Sequence, residues 1–181
     1  GFDPKDFEEA NRLATERDKE SNDKLSIVYT GTFFGRRHPR DFFRIVGQYL
    51  KLHADQKKKL ELNFFCQLSE KDLRFARKQG LDESILRLHQ PVPFRQCLIE
   101  QAKADILLLI LEKGPGSEIM VSQKIFEYLA SRKPVYALVP EGAAADILSE
   151  TGGALIETSR SLKKSAQRFG DFLHQVRHNG V

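Results

Sequence analysis

Asp105-Ile106-Leu107-Leu108-Leu109-Ile110-Leu111, then Ser122-Gln123-Lys124-Ile125-Phe126-Glu127-Tyr128-Leu129-Ala130-Ser131, then Val135-Tyr136-Ala137-Leu138-Val139 are the stretches that decide the fold. The first holds an unbroken apolar run, Ile106 to Leu111. That is far below the ~20 residues needed to span a bilayer. A strand lacks polar alternation when both of its faces are covered, as in a parallel sheet flanked by helices. Ser122 is a natural helix cap, and Pro134 breaks the chain before the next apolar run. The order is strand, helix, strand.

The same alternation extends outward in both directions. Strands are expected at Leu25–Tyr29, Leu60–Cys66, Ile85–His89 and Ala154–Ile156, besides the two already quoted. Helices are expected at 3–20, Pro39–Leu52, Ser69–Gln79, Phe94–Lys103, Gly142–Glu150 and Leu162–His178. Ser69 with Asp72 three residues on is a variant capping box, and Gly80 is a good stop. Lys57-Lys58-Lys59 reads as a solvated turn. Six strands alternating with helices predict an α/β domain: a Rossmann-like, doubly wound, six-stranded parallel sheet with helices on both faces. The expected strand order is 3-2-1-4-5-6. Residues 1–23 read as a linker and leading helix, and 24–181 as the domain. In such sheets ligands bind beyond the carboxyl ends of the strands, so the loops after each strand matter most.

Composition agrees with this class. The 181 residues are 40% hydrophobic and 30% charged, as in a folded globular domain. The net charge of +4 suits anionic ligands but is not the dense basic stripe of a nucleic-acid binder. Two cysteines, Cys66 and Cys97, cannot make a disulfide framework or a four-ligand zinc site. The chain begins at Gly1 with no secretory leader pattern, which is read as a piece of something longer.

Three loops carry chemistry. The first strand runs into Gly31-Thr32-Phe33-Phe34-Gly35-Arg36-Arg37-His38, which is neither a Walker loop nor a dinucleotide fingerprint. Its glycine lets backbone approach a ligand; Arg36 and Arg37 are either bidentate phosphate ligands or ordinary surface residues. The Ser122 helix start offers unpaired amides to an anion, with Lys124 adding a full charge. Glu127 lies among Ile125, Phe126, Tyr128 and Leu129, where an acid is costly unless partnered. It either accepts hydrogen bonds from vicinal hydroxyls or pairs with Lys124 on a solvated face. Glu141-Gly142, opening the next helix, is either a second phosphate cradle or a plain cap. The five histidines do not cluster into a metal site.

Ser122-Gln123-Lys124-Ile125-Phe126-Glu127-Tyr128-Leu129-Ala130-Ser131-Arg132-Lys133-Pro134-Val135 resembles the donor-binding helix and following strand of GT-B-fold glycosyltransferases of the family 4 type (glycosyl transferases group 1). Tyr29-Thr30-Gly31-Thr32, Ala104-Asp105-Ile106-Leu107, Pro140-Glu141-Gly142 and Ala145-Asp146-Ile147 continue the likeness over roughly residues 1–175. It implies the C-terminal, donor-binding domain of an enzyme that moves a sugar from a nucleotide diphosphate to an acceptor hydroxyl. The resemblance also implies that transfer is retaining; it is expected to be metal-independent, because no Asp-x-Asp motif is present.

By the resemblance, Glu127 holds the ribose hydroxyls. Ser122, Gln123 and Lys124 form the pyrophosphate-binding helix start, joined by Gly31, Thr32, Glu141 and Gly142. Arg37, with Arg36 as neighbour, neutralises the diphosphate, so Arg37 and Lys124 are the expected catalytic pair. The segment His89 to Val92 contacts the base. The likeness departs at position 119, where the family's paired-acid motif has an acid and this chain has Ile119, with Glu118 one residue off. It also departs at Thr32, the usual place of an arginine.

The resemblance further implies no permanently bound cofactor. A UDP-, GDP- or ADP-type sugar nucleotide is the expected donor. The expected partner is an N-terminal GT-B domain of the same full-length chain, with peripheral membrane contact through that half and no nucleic acid. The setting expected is bacterial-like and cytoplasmic, including the inner face of the membrane. The isolated domain is expected to be inactive by itself. Two other readings stand beside this one: a non-catalytic nucleotide-binding Rossmann-like module and a GT-B-fold sugar-nucleotide 2-epimerase.

Overall fold

The structure is a computed structural model that describes residues 4–17, 24–33, 35–158 and 161–179. Six parallel strands form one sheet in the order β3-β2-β1-β4-β5-β6. They are β1 Leu25–Thr30, β2 Leu60–Phe65, β3 Leu86–His89, β4 Ile106–Ile110, β5 Val135–Leu138 and β6 Ala154–Ile156. The helices are α1 Pro4–Arg17, α2 Arg40–Leu52, α3 Glu70–Lys78, α4 Phe94–Lys103, α5 Gln123–Ser131, α6 Ala143–Thr151 and α7 Leu162–Asn179. The expected class, strand number and strand order are all present. The element ends differ from the sequence expectation by a residue or so, and 18–20 of the first helix lie outside the described residues. Lys57-Lys58-Lys59 does not form a turn: it closes a 3-10 helix, Ala54–Lys59.

Alternation along the strands explains the apolar run of β4. Ile106, Leu108 and Ile110 point into one core, with Ile27, Tyr29, Leu62, Phe64, Tyr136 and Leu138. Phe42, Phe43 and Val46 of α2 and Phe169 of α7 cover that face. Leu107 and Leu109 point the other way, with Val28, Val135 and Ala137, against Ile125 and Tyr128 of α5 and Leu148 of α6. A strand buried on both faces has no solvated positions, so its sequence shows no period of two.

Local choices fit this frame. Ser69 caps α3, its Oγ accepting from the Asp72 amide. Asp72 in turn accepts from Arg40 Nε at 2.7 Å, tying the start of α2 to α3. The leading helix α1 is packed on α4 and α5 through Phe7, Ala10, Leu98 and Ala130. No described helix is long and apolar enough to cross a membrane.

Candidate functional site

Parallel strands all end at one edge, so the loops after β1, β2 and β4 converge there with the start of α5. β1 ends at Thr30, whose Oγ1 accepts from Gln101 Nε2 of α4 at 3.0 Å. Gly31 follows with φ +128°, a value that disfavours any side chain. The space a Cβ would take is filled by Lys124, with Cε at 2.8 Å and Nζ at 3.0 Å from that point. Lys124 is thus brought from α5 across the end of β1, where its Nζ meets Thr30 Oγ1 at 3.5 Å. It also lies 5.9 Å over the Tyr128 ring.

Lys124 has no ion pair within 4.0 Å among the described residues. Burial holds its ammonium below the usual lysine range; the Glu127 charge opposes that shift and the Arg37 charge adds to it. Arg37 is half-buried, and its Nε is shielded from solvent without a hydrogen-bond acceptor. Lys124 therefore lies against Gly31, and Arg37 is near enough for its charge to act on both Lys124 and Tyr29. Such an arrangement is costly alone and is relieved by an anion.

Glu127 is 7% exposed, and no described group hydrogen-bonds its carboxylate. The alternative of a solvated Lys124–Glu127 pair is therefore removed: the acid is buried, and the lysine reaches Thr30 instead. Ser122 caps α5 as expected, its Oγ accepting from the Lys124 amide at 3.4 Å. Gln123 is exposed beside it, as is Thr32 in the first loop.

The remaining expected residues make other contacts. Arg36 points outward to Glu112, with Nε to Oε1 at 3.0 Å, and leans on Gly114. His89 is exposed at the end of β3, stacked on Phe65 at 4.3 Å, with Nε2 2.8 Å from Asn63 Oδ1. The Val92 carbonyl accepts from Cys97 Sγ at 3.5 Å. Glu141 is exposed. Gly142 has φ +122°, and a Cβ there would lie 2.2 Å from the Glu118 carbonyl oxygen. The 3-10 turn Ser117–Ile119 thus covers the start of α6, and Ile119 itself is 78% exposed.

Three residues of this region had no site role assigned from the sequence. Tyr29 is 1% exposed, and its O–H meets no acceptor among the described residues. Burial raises its pKa, with Arg37 the leading opposing charge. Cys66, at the end of β2, is pushed up to about 12 by burial, with Lys124 opposing. Burial also raises the Cys97 thiol. The signal for Tyr29 was faint: a phenol among apolar strand residues, whose oxygen must go somewhere. Among the described residues, no three His, Cys, Asp or Glu side chains are grouped to hold a metal ion.

No family model matches the sequence, and no curated protein sequence does either. Solved structures do match. WaaG, a glycosyltransferase involved in lipopolysaccharide biosynthesis, superimposes with a TM-score of 0.69 at 14% identity, over 93% of this chain and 43% of WaaG. OtsA gives 0.66 at 16% identity, over 96% of this chain and 42% of OtsA. The C-terminal domain of a glycosyl transferase group 1 family protein (LpcC) from Francisella tularensis gives 0.59 at 16%, over 98% and 91%. The chain spans less than half the length of OtsA and WaaG and nearly all of the LpcC domain. Its fold is that of the C-terminal domain of a GT-B glycosyltransferase.

Proposed function

We propose that this chain is the donor-binding half of a glycosyltransferase, holding a nucleoside-diphosphate sugar at the meeting of Gly31, Arg37, Lys124 and Glu127. The observation that carries this reading is Lys124 laid against Gly31 with no ion pair among the described residues, and the Arg37 charge acting on it from nearby. The diphosphate would lie against Gly31 and the first amides of α5, with Lys124 and Arg37 taking its charge. That charge grows as the bond from the sugar to the diphosphate breaks, so fixed donors aimed at it lower the barrier. Glu127, buried and without a donor among the described residues, would accept hydrogen bonds from the ribose hydroxyls. Retention of configuration and independence of a metal belong to the same proposal. So does a second domain that supplies the acceptor side, a reading supported by the length of WaaG and OtsA relative to this chain.

A thermal-shift series with UDP, GDP and ADP tests this. A ligand at ~100 times its Kd adds about 2.7 kcal/mol. For a domain of this size the melting temperature rises by roughly 5–10 °C. One base should give the shift, magnesium should not change it, and Glu127→Gln should reduce it. A shift unaffected by Glu127→Gln would remove the ribose assignment.

A further inference from the structure

Tyr29 belongs to this site but has no part in the reading above. It is clamped by aromatic neighbours, stacking on Phe33 at 4.4 Å and 7° and on Phe64 at 5.6 Å and 27°. The ring therefore cannot turn its oxygen elsewhere. At 1% exposure the side chain is sealed from solvent, and its O–H meets no acceptor among the described residues. A buried orphan of this kind costs about 1–3 kcal/mol, and folded proteins rarely keep one without use.

The neighbours of the hydroxyl say what is missing. The Arg37 guanidinium lies against it and can donate to the phenol oxygen, while the Arg37 Nε–H is buried without an acceptor among the described residues. Lys124 is the other cation: the point where a Gly31 Cβ would stand is 3.0 Å from Lys124 Nζ and 3.9 Å from the Tyr29 oxygen. A phenol O–H cannot donate to a guanidinium or an ammonium, which carry no acceptor. Between these groups an acceptor with negative charge is absent.

We propose that Tyr29 is a further anion-binding residue of this site, its O–H donating to the phosphate oxygen that Lys124 and Arg37 neutralise. The inference rests on the diphosphate reading above. Burial keeps the phenol protonated far above neutral pH, so it acts as a donor throughout the working range. Access runs through Lys124, whose stem fills the space in front of Gly31. The flexible lysine turns to meet the anion, and the hydroxyl behind it is then reached.

Titration calorimetry with inorganic pyrophosphate tests the inference on the wild-type chain, Lys124→Met and Tyr29→Phe. Tyr29→Phe keeps the ring stack and removes one oxygen. It is expected to weaken pyrophosphate on the order of tenfold or more, as for a hydrogen bond to a charged group. Its melting temperature without ligand should stay level or rise, because the orphan is gone. In wild-type protein labelled at tyrosine Cζ, pyrophosphate should move the signal that Tyr29→Phe deletes. Unchanged affinity in Tyr29→Phe, with Lys124→Met still weakened, would overturn the role of Tyr29 and leave the site standing. A lowered ligand-free melting temperature would overturn the premise of an unused hydroxyl. Failure of the wild type to bind, or equal binding by Lys124→Met, would remove the diphosphate site and the inference with it.

Discussion

The N-termini of α5 and α6 open at the same edge of the sheet, and only one is left free for an anion. At α5, Ser122 caps the first turn and Lys124 reaches over Gly31 with no carboxylate paired to it. At α6, the Glu118 carbonyl presses on Gly142, and Asp146 stands in the first turn with Glu141 just ahead of it. The chain's own backbone and acids already occupy what the helix dipole would attract. On the proposed reading, a helix start becomes an anion site when the chain leaves it uncovered and brings cations without their counter-charges. A glycine beside it is not the deciding feature, since both starts have one.

Substitutions sharpen this contrast in order of size. Gly142→Ala should cost the most, about 3 kcal/mol. The added methyl meets backbone at a φ of +122°. A melting temperature roughly 10 °C lower is expected, with nucleotide affinity of the folded protein unchanged; lost affinity at full stability would make α6 part of the site. Lys124→Met should act in the opposite way. Diphosphate affinity is expected to fall on the order of tenfold to a hundredfold, with no loss of stability, because a half-buried ammonium with no ion pair among the described residues is removed. A large drop in melting temperature would show that the lysine is structural.

The pH dependence separates the same two roles. Burial lowers the Lys124 pKa in the folded state, so the unfolded chain holds that proton more tightly. Between the lowered value and that of a free lysine, its contribution to stability rises with pH. Over the same window the ammonium is lost and anion affinity falls. The difference between wild type and Lys124→Met, followed by melting and by calorimetry, should show the two trends with opposite sign. Trends of the same sign would contradict the buried, unpaired lysine.

Gly31→Ala should weaken the diphosphate several-fold, because its methyl displaces Lys124, a flexible chain that can move. Arg36→Ala should do least: an exposed pair with Glu112 is worth about 0–1 kcal/mol. Calorimetry that ranked Arg36 above Arg37 would exchange their places in the site.

The fold was legible because burial on both faces writes itself into composition. The unbroken run Ile106–Leu111 and the strand-helix order led to the sheet and its strand order, both of which the structure has. At the site, Ser122, Lys124 and Glu127 were legible from a cap, a charge and an acid among apolar neighbours. Whether Glu127 faced solvent was not, since helical spacing allows either face and packing on the sheet decides it. The fates of Arg36 and Arg37 were equally hidden. They are adjacent in sequence, and the positions of Glu112 and Tyr29 turn one outward and the other inward. Gly142 was open to two readings because a cap and a cradle use the same residue, and the Glu118 backbone that packs on it lies 24 residues earlier in the chain.

The most direct measurement is calorimetry of UDP, GDP and ADP against their own monophosphates, on the wild type and on Lys124→Met. One diphosphate should bind on the order of tenfold more tightly than its monophosphate, and Lys124→Met should remove most of that difference. Equal binding of mono- and diphosphate, or a difference that survives Lys124→Met, would contradict a diphosphate held at the end of β1.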